Sequence, residues 1–173
     1  MKEEAAGGAR RPGGVTLRRV TAGDEEFVYQ VYASTRAEEL APLKWSAEQQ
    51  DSFLRMQFTL RQRDYGARFD AAGHQIVLRG DRPVGIIWVS RDGREIRLAD
   101  LALLPAQRGS GIGTILVREL IKESDRTGKP VRLMVLQVNR GALRLYERLG
   151  FKVVGTSGFY FEMERRPALG FGG

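Results

Sequence analysis

Apolar and polar residues alternate from Val15 to Val20 in the rhythm of a half-buried strand. From Asp24 the period lengthens. Phe27, Val28, Val31 and Tyr32 share one helical face behind the acids Asp24, Glu25 and Glu26, and Thr21 or Asp24 is placed to cap. The region from Thr35 to Trp45 is less regular, Pro42 is expected to break any helix there, and Ser46-Ala47-Glu48-Gln49 opens a second helix with a capping box. Phe53, Leu54, Met56, Gln57, Phe58 and Leu60 carry it to Tyr65 at mixed spacing, with Gly66 and Gly73 marking the loop beyond.

Three strand patterns follow, Gln75–Arg79, Val84–Ser90 and Glu95–Leu104. The turn signals Gly80-Asp81 and Asp92-Gly93 separate them, which predicts an antiparallel meander ended by Pro105. Ile112, Ile115, Leu116, Leu120 and Ile121 then mark a helix that Gly128 and Pro130 stop. Val131–Leu136 is apolar enough for a buried strand, and a helical crossover sets it parallel to Glu95–Leu104. Asn139 caps a last long helix ending at Gly150, and Phe151–Thr156 pairs with Phe159–Met163 around Gly158. The expected class is α/β. Residues 1–14, rich in Gly, Pro and charge, read as a disordered tail, 15–164 as one domain and 165–173 as a loose tail.

Charge and composition narrow the function. The net charge of +7 is +1 in residues 1–14, +2 from Arg165 onward and +4 dispersed over the body. Its arginines are interleaved with acids, so no basic face for nucleic acid is expected. The absence of cysteine removes disulfide, thiol and cysteine–metal chemistry, and His74 alone builds no metal site. The longest apolar run, Val84–Val89, is strand-sized, and no apolar segment follows Met1-Lys2-Glu3-Glu4. Neither a membrane span nor a signal peptide is expected, and the plain reading is a cytoplasmic protein. An excess of arginine over lysine is compatible with a bacterial source.

The candidate chemistry lies at Arg108-Gly109-Ser110-Gly111-Ile112-Gly113-Thr114, a strand-to-helix turn with little side-chain bulk. Backbone N–H groups and the positive end of a helix can both face an anion there. A P-loop would need lysine before Thr114, and the dinucleotide fingerprint would need glycine at Thr114 and an acid near Leu136 or Gln137. Neither requirement is met. Downstream, Asn139 and Tyr146 stand seven residues apart, two helical turns, with small Ala142 between them.

Arg108 to Gly113 fits R-x-x-G-x-G, which resembles the coenzyme A pyrophosphate loop of the GCN5-related N-acetyltransferase (GNAT) family. Asn139 to Phe151 is similar to that family's N-x-x-A-x-x-L-Y-x-x-x-G-F signature, and the two motifs occur in the family's order. The resemblance covers residues 15–164. It implies a mixed antiparallel and parallel sheet of about seven strands flanked by about four helices. It implies an N-acetyltransferase that moves the acetyl group of acetyl-CoA, a co-substrate, to an amine of a small molecule or peptide in a ternary complex. No metal is implied, and a homodimer would be compatible. The strand Leu101, Ala102 and Leu103 would hold the pantetheine arm, through main chain at Leu101 and Leu103. Arg108, Gly109, Ser110, Gly111, Ile112, Gly113 and Thr114 would hold the pyrophosphate, and Asn139 with Ala142 the arm's path. Tyr146 would be the general acid for the departing thiolate.

The base is less evident. Arg97 and Met134 occupy the positions where family members carry a glutamate. Asp100, Glu95, Glu38, Glu39 and an ordered water are alternatives, and Tyr29, Tyr32, Arg36, Glu38 and Glu39 are acceptor-side candidates. A non-catalytic coenzyme A sensor is the alternative function.

Overall fold

The structure, a computed structural model, describes residues 9–168. Residues 1–8 and 169–173 lie outside the described residues, and with them most of the tail expected over 1–14 and part of that expected from 165. Seven strands, β1 (Val15–Arg19), β2 (His74–Arg79), β3 (Arg82–Arg91), β4 (Ile96–Leu103), β5 (Val131–Leu136), β6 (Lys152–Ser157) and β7 (Tyr160–Arg165), form one sheet in the order β1-β2-β3-β4-β5-β7-β6. Four α-helices accompany them: α1 (Glu25–Leu40), α2 (Ala47–Arg68), α3 (Ile112–Thr127) and α4 (Arg140–Arg148). β4 and β5 are parallel, while β1–β2, β5–β7 and β6–β7 are antiparallel, so the sheet is mixed as expected.

The chain gathers into two compact units. The first runs through Ile87 and takes in Leu101–Gly109; the second holds Trp88–Asp100 and resumes at Ser110. In the first unit, α1 buries Val28, Tyr29, Val31 and Tyr32 with Leu54 and Phe58 of α2 and Ile76 and Ile86 of the strands. The aromatic rings meet edge-on or tilted, Tyr29–Phe58 at 5.5 Å and Tyr32–Phe58 at 5.6 Å between centroids. Ser46 and Gln49 form the capping box that opens α2, whereas the box of Thr21 and Asp24 closes on the 3-10 turn Ala22–Asp24 that leads into α1. Gly85 sits in β3 because nothing larger fits. A Cβ there would run into the Ala102 carbonyl oxygen and stand 2.7 Å from Leu103 Cδ2.

Several expectations are corrected in these elements. α2 continues past Tyr65 to Arg68 with Gly66 inside it, held by the Phe69 N–H donating to the Tyr65 carbonyl at 2.8 Å and by the Tyr65–Phe69 ring contact at 5.4 Å. These outweigh a glycine penalty of about 1 kcal/mol. α1 runs to Leu40, through the start of the stretch from Thr35 expected to be less regular, and Met56 and Leu60 of α2 are more than half exposed. The Asp92-Gly93 turn is longer than a two-residue hairpin. Asp92 Oδ1 accepts the N–H of Arg94 (2.7 Å) and of Glu95 (2.8 Å), so β4 begins at Ile96.

In the second unit, α3 lays Leu116, Val117 and Leu120 in the core that also holds Val131, Leu133 and Met163. Gly128, with φ of 72°, closes the helix. The tail expected from 165 is not loose where it is described. Arg165 is the last residue of β7 and pairs with Asp125 of α3 at 2.7 Å, and the Ala168 N–H donates to the same carboxylate at 2.7 Å. α4 is short, nine residues rather than a long helix.

Candidate active site

The loop after β4 has the two properties an anion cradle needs. Gly109 (φ 72°) and Gly111 (φ 85°) are left-handed, where side-chain-bearing residues are strained, and no atom lies within 4 Å of where a Cβ of either would stand. Gly111 opens α3 without a side-chain cap. The first bond of the helix is the Ile115 N–H to the Gly111 carbonyl, 3.0 Å, so the amides of Ile112, Gly113 and Thr114 precede the intrahelical ladder. Gly113 differs from these two. A Cβ there would stand 3.5 Å from Leu145 Cδ2 of α4, an ordinary van der Waals contact. These residues fit a phosphate group.

In the first unit, Leu101, Ala102 and Leu103 form the end of β4, and each is half-buried. Arg108 turns back towards them, with Nε donating to the Leu103 carbonyl at 3.1 Å and Nη2 to Ser34 Oγ at 3.2 Å. Neither partner is a carboxylate. The guanidinium of Arg18, by contrast, grips Asp24 through two bonds of 2.8 Å and holds that carboxyl well below the usual range.

In the second unit, the parallel ladder sets Ile96–Leu98 against Val131–Leu133, while β4 and β5 both run on. Asp100 lies two residues past the last paired position of β4. Asn139 caps α4 through its Oδ1, which accepts the Ala142 N–H at 3.1 Å. Its amide group is therefore the part left to meet a ligand. Tyr146 is buried at 7 % exposure and tilts against Phe151 at 5.6 Å. Burial, and secondarily the negative charge of Asp100, push its hydroxyl far above the usual tyrosine range. The hydroxyl therefore keeps its proton at neutral pH.

The side chains considered for the base are mostly committed elsewhere. Arg97 pairs with Glu95 at 2.9 Å and Glu162 at 3.6 Å. Arg132 pairs with Glu95 at 3.3 Å and Glu164 at 2.7 Å. Glu95 is thus neutralised by two guanidiniums. Met134 is 42 % exposed. On the acceptor-side list, Tyr29 and Tyr32 are core residues, and the Tyr29 hydroxyl donates to Asp51 Oδ1 at 2.7 Å. Arg36 pairs with Glu39 at 2.9 Å, and Glu38 is exposed. Sequence reasoning missed Ser34 altogether, because its contact with Arg108 spans 74 residues and leaves no local pattern. No group of three or more metal-ligating side chains occurs among the described residues, and no described helix is long and apolar enough to cross a membrane.

A mixed seven-stranded sheet with four α-helices and a glycine-rich turn opening α3 is the architecture that the two sequence motifs implied. The sequence model of the acetyltransferase (GNAT) family matches residues 34–151, and the chain belongs to that family. It is 27 % identical over 160 residues to a mycothiol acetyltransferase of Streptomyces scabiei, covering 86 % of this chain and 46 % of that protein. It is also 34 % identical over 88 residues to a thialysine N-epsilon-acetyltransferase of Mus musculus, covering 48 % and 52 %. The chain spans less than half the length of the Streptomyces relative. Among solved structures, the fold is shared with a PaiA N-acetyltransferase of Thermoplasma acidophilum in complex with coenzyme A. The TM-score is 0.65 at 23 % identity, covering 88 % of this chain and 98 % of that one.

Proposed function

We propose that residues 15–164 form an N-acetyltransferase domain that transfers the acetyl group of acetyl-CoA to an amine of a small molecule or peptide by direct attack in a ternary complex. The observation that carries this reading is the open, left-handed pair Gly109 and Gly111 leading into an uncapped α3. Family membership supports reading the loop as a cradle for the coenzyme A pyrophosphate. Acetyl-CoA supplies the acetyl thioester. Main chain at Leu101 and Leu103 binds its arm, the amides from Ser110 to Thr114 with Arg108 bind its pyrophosphate, and Asn139 and Ala142 line its path. Tyr146 holds a proton for the departing sulfur.

With Arg97 and Met134 at the positions of the missing carboxylate, the acceptor is best served by an amine that arrives largely neutral. An amine with a pKa of about 8 meets that condition near neutral pH, whereas a lysine amine at about 10.4 does not. The test is thiol release from acetyl-CoA over a panel of amines spanning that range. Amine-dependent release, faster with the low-pKa members, is expected, and Tyr146→Phe should lower kcat by about 10²-fold or less. A thiolate leaves tolerably well unaided, which sets the low end. A folded protein that binds acetyl-CoA yet releases thiol with no amine would contradict acetyl transfer. Wild-type kcat in Tyr146→Phe would remove that residue from the mechanism.

A further inference from the structure

Arg108 is held by two neutral oxygens, one of them on a helix far away in the sequence. Ser34 is half-buried on α1, and its hydroxyl is used in both senses. Its O–H donates to the Val31 carbonyl at 2.7 Å, one helical turn back, which fixes the side-chain rotamer and turns a lone pair outward. That lone pair accepts Arg108 Nη2 at 3.2 Å, while the Leu103 carbonyl accepts Nε at 3.1 Å. The two bonds use two of the five N–H groups of the guanidinium and fix its plane. Because both acceptors are uncharged, the positive charge is positioned without being neutralised, unlike that of Arg18, Arg91 or Arg132. A planar guanidinium held by one edge keeps another edge for bidentate contact with a phosphate.

We infer that Ser34 is a positioning residue for coenzyme A binding: it orients the Arg108 guanidinium for the ligand's phosphates and so ties that event to helix α1. The inference rests on the acetyl-CoA reading above and adds a residue that no motif contains. A serine on the first helix thereby contributes to affinity for a nucleotide it need not touch.

Calorimetric titration of coenzyme A into wild type, Ser34→Ala, Arg108→Gln and the double variant tests it, with unfolding midpoints checking that each variant is folded. Ser34→Ala removes one hydrogen bond and favours the helix slightly, so the fold is kept. It should weaken coenzyme A by about three- to tenfold. Arg108→Gln should weaken it by about tenfold or more. The double variant should bind no more weakly than Arg108→Gln alone, since Ser34 acts only through that arginine. Ser34→Thr, which keeps the hydroxyl, should bind within about twofold of wild type. Full wild-type affinity in Ser34→Ala, or the same loss from Ser34→Ala in both backgrounds, would overturn the positioning role while leaving the acetyl-CoA reading intact. A folded wild type that binds no coenzyme A would overturn both.

Discussion

Helices α2 and α3 are held by different means. In α3, sixteen residues long, the buried positions Ile112, Leu116, Val117, Leu120 and Ser124 fall on one stripe, and four of the five are aliphatic. α2 is longer, twenty-two residues, yet buries only Leu54 and Phe58. The rest of its hold on the first unit is polar and aromatic. The Arg55 guanidinium lies 4.0 Å over the Tyr29 ring of α1 and pairs with Glu26 of α1, and Arg61 lies 5.5 Å over the Tyr32 ring of α1. One helix is placed by the amount of apolar surface it hides, the other by a few directional contacts. On the proposed reading α3 carries the phosphate cradle, whose amides must not wander, and a stiff hydrophobic seat suits that role.

Substitutions at a buried leucine of α3 and an exposed leucine of α2 should separate the two most widely. Leu116→Ala, in the α3 stripe, is expected to cost about 3 kcal/mol by denaturant unfolding. Leu60→Ala, on the exposed side of α2, should fall within about 0.5 kcal/mol. Equal costs would break the contrast.

Alkaline pH probes the polar side. Burial, and then the hydrogen bond it donates to Asp51, push the Tyr29 hydroxyl up to about 12. Between pH 10 and that value the unfolded chain has shed this proton while the folded one keeps it. The contribution of Tyr29 is therefore complete below about pH 10, declines up to about 12 and is constant beyond. Unfolding free energies of wild type and Tyr29→Phe should differ most below pH 10 and converge across that window. A difference that is flat through it would mean the hydroxyl is not held as described. The smallest expected effect is a gain: Gly66 lies inside α2 with open space where a Cβ would stand, and Gly66→Ala should stabilise by about 0.5–1 kcal/mol. A loss there would show that the end of α2 needs the glycine.

The same contrast explains what could be read from the sequence. The α3 stripe, its Gly128 stop and the parallel β5 were legible because each depends on residues close in the chain. So were Asn139 as a helix cap and the left-handed glycines, since turn geometry selects them locally. The end of α2 was misread because Gly66 carries a breaker signal that Tyr65, Arg68 and Phe69 override through ring and cation contacts. The buried state of Tyr29 and Tyr32, the neutralising of Glu95 by Arg97 and Arg132, and the seat of Arg108 on Ser34 were out of reach. Each is a pairing of residues from separate elements, for which spacing offers no sign.

Thermal unfolding with and without about 1 mM acetyl-CoA, beside ATP and NADH controls, tests most directly whether the α3 cradle holds coenzyme A. A ligand bound only by the folded state raises the midpoint by mass action, equivalent to about 2.7 kcal/mol at one hundred times the dissociation constant. The expected result is a rise with acetyl-CoA that neither control reproduces. No rise, or an equal rise with ATP, would contradict the assignment and reduce the loop to turn chemistry or a general anion site.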